Sequence, residues 1–207
     1  MHHNPSFRKA KDQQNIKFVR KRSFGALTIN GDNGPLISHI PFQLSEDGMY
    51  VEAHLVRSNP ILSALRSGPL DAVIAVSGAD GYISPDWYGL SNQVPTWNYV
   101  AVHLRGQLRV LPQEELHGIL ERLSVSMEVR LALKPVWNME KIPVGMVKKM
   151  MRMIVPIAFD VGVLEGTWKL GQNKPNAARL AAADCLSVTD MGLETDTLAA
   201  LMKCPPC

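Results

Sequence analysis

The chain is poor in cysteine, poor in aromatic residues and without any long apolar run. Its 207 residues include 3 cysteines, Cys185, Cys204 and Cys207, all near the C-terminal end. An odd count with none in the apparent core excludes a disulfide scaffold and predicts a cytoplasmic protein. No stretch approaches the roughly 18 apolar residues of a membrane span. The opening MHHNPSFRKAKDQQ is polar and lacks the apolar centre of a secretion signal. Neither sign of charge dominates: 22 Lys and Arg against 19 Asp and Glu leave +3. That balance tolerates an anionic ligand but is too weak to imply nucleic acid. No GxGxxG follows a strand, no Walker-type loop is present, and no helix-turn-helix is legible. His39, His54 and His103 fall on different strands without neighbouring Cys or Asp, which argues against a metal site.

What is present is alternation. From Val100 the even positions read Val100, Val102, Leu104, Gly106, Leu108 and Val110; the odd positions read Trp97, Tyr99, Ala101, His103, Arg105, Gln107 and Arg109. Side chains of a strand point to opposite faces in turn, so one aliphatic face is buried and one polar, aromatic and cationic face is presented. That second face reads as a binding site or a subunit interface.

The same reasoning divides the rest of the chain. Asp12 to Arg22 reads as a basic helix. Phe24–Asn30 and Leu36–Leu44 read as strands flanking the turn Gly31-Asp32-Asn33-Gly34. Pro41 lacks an N–H, so the second strand lies at an edge or leaves that position unpaired. Met49–Leu55 and Leu70–Ser77 read as further strands. Pro60 opens a short helix running to about Arg66. A helix is expected over Pro112–Leu131 and another over Val144–Ile154, then a last strand around Ile157–Val163 and a helical stretch at Lys174–Ala183. Hairpins followed by helices, without βαβ alternation, predict an α+β protein with a closed antiparallel sheet. Residues 1–183 are expected to form one domain, and 184–207 a tail of unknown role.

Three segments carry candidate chemistry, each with a plain structural alternative. His54-Leu-Val-Arg57-Ser58-Asn59-Pro60 sits where a strand hands over to a helix, a place suited to an anion. The alternative is that Ser58 or Asn59 caps the helix while Arg57 is solvated. Thr96-Trp97-Asn98-Tyr99 suits a planar heteroaromatic ring, or else an aromatic cluster at a dimer contact; Tyr82, Trp87 and Tyr88 share that ambiguity. Trp168-Lys169-Leu-Gly-Gln172-Asn173 follows the last strand and could complete the platform. Cys204-Pro-Pro-Cys207 has CxxC spacing but no helix behind it to activate a thiol.

The blocks SFGALTINGDNGPLISHIPFQL, AHLVRSNP, GYISPDWY, VPTWNYVAVHLRGQLRV and LEGTWKLGQNK occur in this order. Together they resemble the PaiB-type proteins, the FMN-binding negative transcriptional regulators, from about Phe7 to Ala183. The resemblance implies a Greek-key-like, FMN-binding split β-barrel with peripheral helices, paired as a homodimer with flavin in clefts at the interface. By that likeness Arg57, Ser58 and Asn59 would hold the FMN phosphate, and His39 and His54 would lie near the flavin edge. Trp97, Asn98 and Tyr99 with Trp168, Lys169 and Gln172 would line the ring. The chain departs from the family's usual H-L-A-R-A-N-P at Val56 and Ser58. Two functions follow: a regulator or sensor, with DNA as a conceivable partner, or a flavin-dependent oxidoreductase acting on a small substrate. A barrel kept only as a structural dimer is a third.

Overall fold

A short turn needing positive φ, at Gly34 (φ 114°), joins the first two strands and starts a meander of antiparallel pairs. The structure is a computed structural model describing residues 2–131 and 133–206. In chain order the elements are α1 (Asp12–Arg22), β1 (Phe24–Ile29), β2 (Leu36–Leu44), β3 (Tyr50–Val56), α2 (Pro60–Ala64), β4 (Leu70–Ile83) and β5 (Thr96–Val110). There follow α3 (Leu116–Glu128), α4 (Val144–Met151), β6 (Ile154–Lys169), α5 (Asn176–Leu186), β7 (Gly192–Leu193) and α6 (Thr195–Lys203). The sheet order is β1-β2-β3-β6-β5-β4-β7, and an additional β1–β4 pairing closes it. This is the closed antiparallel, α+β arrangement expected from the sequence.

The chain divides into two units. A barrel unit holds Val19–Ala75 and Leu104–Val163; a helical unit holds the residues up to Phe18, Val76–His103 and those from Leu164 onward. The strands β4, β5 and β6 contribute residues to both.

In the barrel unit the closing ladder pairs Ala26 with Ala75 and Ile29 with Ala72. Alternation then fixes which side chains fill the interior. Leu27, Ile29, Ile40, Phe42, Val51, Ala53, Ile74, Leu104, Leu108, Ile157 and Phe159 are all buried. A Cβ at Gly106 would lie 1.9 Å from the Asp160 carbonyl oxygen, so only glycine lets β5 approach β6 here. Outside, α3 buries Leu116, Ile119 and Leu123, and Ile119 packs with Leu111 and Ala158. Of the two expectations for β2, its place between β1 and β3 sets aside the edge and leaves the unpaired position. As far as Pro41 the strand pairs with β1, and from Phe42 it pairs with β3. Pro41 stands at that handover, where a missing N–H costs little.

In the helical unit Ala79, Ile83, Tyr88, Val100, Trp168 and Leu170 pack with Ala178, Ala182, Leu186, Leu198 and Met202. The Trp168 indole donates to Asn15 Oδ1 at 2.8 Å. Gly166 makes room for that amide, since a Cβ there would lie 2.1 Å from the same oxygen. Buried Arg179 donates to the carbonyls of Met202 and Lys203 and, at 3.1 Å, to Asn176 Oδ1, closing the end of α6.

Several bounds differ from expectation. The strand expected to end at Ser77 continues to Ile83, and the last long strand spans 16 residues, Ile154–Lys169. The long helix starts as a 310 turn and ends at Glu128, not Leu131. Unforeseen elements lie in the tail: β7, whose Gly192 pairs with Gly81, and α6. Among the described residues no helix is long and apolar enough to cross a membrane.

Leu198 is fully buried in α6, so Leu198→Ala should destabilise the protein by about 2–5 kcal/mol. Urea unfolding monitored by tryptophan fluorescence checks this; a loss within error of zero would show that α6 is not part of the cooperative fold.

Candidate functional site

Strand β5 divides its side chains as a two-faced strand must. Val100, Val102, Leu104 and Leu108 are buried, whereas Trp97 and Arg105 are exposed. Much of the polar face is already engaged within the barrel unit. Arg109 Nε donates to Asp160 Oδ2 at 3.1 Å and its guanidinium lies 5.9 Å from the Tyr50 ring centroid. Gln107 Nε2 donates to Asp71.

In the helical unit the candidate ring-lining residues separate. Trp97 is 45% exposed, and Tyr99 is half-buried. Asn98 is 1% exposed, because its even position turns it to the core, where its amide donates to the Met202 sulfur at 3.5 Å. Trp168 is 4% exposed, held by Asn15 and packed edge-on against Phe18 at 5.5 Å. Trp168, offered by the sequence as completing the platform, is a core indole. Gln172 closes the turn after β6, accepting from Leu170 N at 2.9 Å and donating to the Trp168 carbonyl at 2.6 Å. Lys169 is half-buried, and burial pushes its ammonium below the ordinary lysine range. It donates to Thr96 Oγ1 at 2.5 Å.

Sequence reasoning missed Asp80. Its carboxylate accepts from Trp97 Nε1 at 3.0 Å. Tyr82 lies between two indoles, 6.5 Å from Trp87 and 6.3 Å from Trp97 by ring centroids. Period-two spacing puts Asp80 and Tyr82 on one face, a signal hidden by ending the strand at Ser77.

In the barrel unit Arg57 follows β3. Its Nε donates to the Arg152 carbonyl at 2.7 Å, and Nη2 to Gln113 Oε1 at 3.1 Å and the Ile154 carbonyl at 3.3 Å. Ser58 is exposed. Asn59 is the N-cap of α2: Oδ1 accepts from Ile61 N at 3.0 Å, and Nδ2 donates to Ser38 Oγ at 3.0 Å. The capping alternative thus describes Asn59. His39 is exposed and stacks on Phe24, centroids 6.2 Å apart and planes 25° apart. His54 is half-buried, and its Nδ1 and the Gln43 Oε1 are buried without a hydrogen-bond partner among the described residues. A separate cleft of about 380 Å³ is lined by Thr28–Asn30, Asp71–Val73, Arg105 and Gly106, and by none of the predicted site residues.

Among the described residues no group of three or more His, Cys, Asp or Glu is placed to hold a metal. Cys185 and Cys204 are free thiols; Cys207 lies outside the described residues.

Residues 1–162 match the family described as "Putative FMN-binding domain". The chain is 28% identical over 173 residues, 82% of each protein, to the protease synthase and sporulation protein PAI 2 of Bacillus subtilis. Among solved structures it resembles the FAD and heme binding protein of Mycobacterium smegmatis, with a TM-score of 0.59 and 17% identity over 80% of this chain and 74% of that one. It also resembles a conserved hypothetical protein of Mycobacterium tuberculosis, with a TM-score of 0.55 and 16% identity over 82% and 91%. The fold is that of the flavin-binding split barrels, and the cofactor expected from the sequence, FMN, is the one the matching family is described by.

Burial holds His54 below its ordinary value of 6.5, so the unfolded chain takes up the proton first as pH falls. Stability present above pH 6.5 should be lost progressively below it. Urea midpoints at about pH 7.5 and 5.5 should drop for the native sequence and differ less for His54→Asn. Equal drops in both would remove His54 as the cause.

Proposed function

The chain belongs to the FMN-binding domain family, and we infer from that membership that it binds FMN as a homodimer and serves a regulatory role. The match over residues 1–162 carries the reading. The regulatory half is supported by the likeness to the Bacillus subtilis protein, whose name ties it to protease synthesis and sporulation.

The residues present suit a flavin phosphate. Arg57 is exposed, and its bonds to the Arg152 and Ile154 carbonyls hold the guanidinium in a set orientation. An arginine so ordered loses little entropy on meeting a phosphate, and charge-assisted bonds are the strong ones. Ser58 adds an exposed hydroxyl beside it. Asn59 serves by fixing the turn, not by reaching the ligand. For the ring, the exposed and half-buried candidates are Trp97, Tyr99 and Lys169, drawn in this proposal from the second copy of the chain. A half-buried ammonium such as that of Lys169 favours negative charge beside it. Bound FMN would supply reversible electron transfer, which suits a redox-responsive regulator as well as an enzyme.

The homodimer is supported by apolar surface on the barrel unit. Phe24 is 54% exposed and Ile37 61% exposed, on neighbouring strands and the same face as His39 and Pro41. Exposed apolar side chains gathered on one face suit an interface.

Purified protein mixed with FMN and passed through gel filtration should retain the flavin absorbance bands. Arg57→Ala should weaken FMN at least about tenfold in fluorescence titration while leaving the circular dichroism unchanged. Asn59→Ala should instead lower stability by about 0.5–2 kcal/mol, the usual cost of a lost cap. Light scattering at low micromolar concentration should give twice the mass of the chain. A colourless protein after gel filtration would sink the flavin reading, and a monomeric mass the dimer.

A further inference from the structure

We propose that Asp80, Tyr82, Trp87 and Trp97 form a binding site for an alkylated ammonium group. Asp80 and Tyr82 share one face of β4, Trp97 comes from β5, and Trp87 lies in the 310 turn Pro85–Tyr88. The Tyr82 plane makes angles of 76° with Trp87 and 63° with Trp97. A planar ring seeks parallel faces; this set offers walls that face different ways. A compact cation has no plane to match and gains from each aromatic face within about 6 Å.

Four further features support a cation over an apolar group. The Trp97 indole is oriented by its bond to the Asp80 carboxylate, so the wall does not have to be ordered on binding. Hydrogen bonding to a carboxylate also enriches the indole π face that a cation would meet. Asp80 makes no ion pair with a cationic side chain among the described residues, which leaves its charge for an incoming one. The same loop already holds an ammonium in this way: Lys174 Nζ stands 5.1 Å from the centroid of Tyr88. Trp97 keeps nearly half of its surface exposed, and Asp80, Tyr82 and Trp87 are partly exposed. Asp80, Tyr82 and Trp87 take no part in the flavin reading, whereas Trp97 belongs to both, so the titration is made on protein without bound flavin.

The test is a tryptophan-fluorescence titration of the full chain at constant ionic strength, with choline and with its uncharged isostere in which carbon replaces nitrogen. We expect saturable binding of choline, at least about tenfold weaker for the isostere. Asp80→Asn should weaken choline several-fold, and Trp87→Leu should weaken it further. Equal response to both probes would overturn the proposal in favour of a merely apolar cluster, and absence of a saturable response in the native sequence would overturn it outright. Because the comparison of probes uses the native sequence, a variant that fails to fold does not rescue or sink it. Loss of FMN binding in the native chain would instead bear on the flavin reading alone.

Discussion

The ladder between Ala26–Ile29 and Ala72–Ala75 is the constraint on which the barrel unit depends. Without it β1 would present an open edge of unpaired N–H and C=O groups, an invitation to aggregation. With it, each strand is committed to one inward and one outward face. Phe42 and Phe159 fill the interior, so residues of opposite parity, such as Phe24, Ile37 and His39, are left on the outside. The outer face is where ligands and partners must be met. Elsewhere in the barrel unit, Gly106 lets β5 approach β6 at the Asp160 carbonyl.

A second regularity concerns arginine. Arg57 donates to the carbonyls of Arg152 and Ile154, just past α4. Arg130 donates to the carbonyls of Arg20 and Lys21 in the last turn of α1. Arg179 closes α6. The final carbonyls of a helix have no partner within it. A guanidinium from outside the helix meets them at the Arg152 cap of α4, at Arg20 and Lys21 of α1 and at Met202 and Lys203 of α6, while Arg57's other acceptor, Ile154, opens β6. Such an arginine is rigid and already partly satisfied. For Arg179, which is 8% exposed, the role is structural; for exposed Arg57 the same bonds leave a cation held at the surface.

These contacts explain what a reader of the sequence sees and misses. Two-residue alternation made β1, β2 and β5 legible, because parity is a local property. The same parity separates Asn98 from Trp97 and Tyr99, although the three adjoin in sequence. Adjacency suggested a shared platform; strand geometry sends the amide to the core. Trp168 looked like an open aromatic because its partner Asn15 lies 153 positions away. No local pattern reveals such a bond. Asn59 was legible as a cap from Asn-Pro, since both preferences are intrinsic to the residues. Arg57's carbonyl acceptors, contributed by a segment almost a hundred positions later, were not.

Helices α5 and α6 both lie beyond the residues 1–162 matched by the family, and Leu198 and Met202 of α6 share a core with Ala178 and Ala182 of α5. Alanine at successive turns leaves a shallow face, and here a second helix occupies the room. The two sequences are therefore tied to one another during divergence. A relative that lost α6 would carry a wet alanine stripe, and restoring the lost volume would require larger side chains on α5. Small residues on one helix thus serve as the imprint of another, and their enlargement across relatives would trace where the tail was discarded.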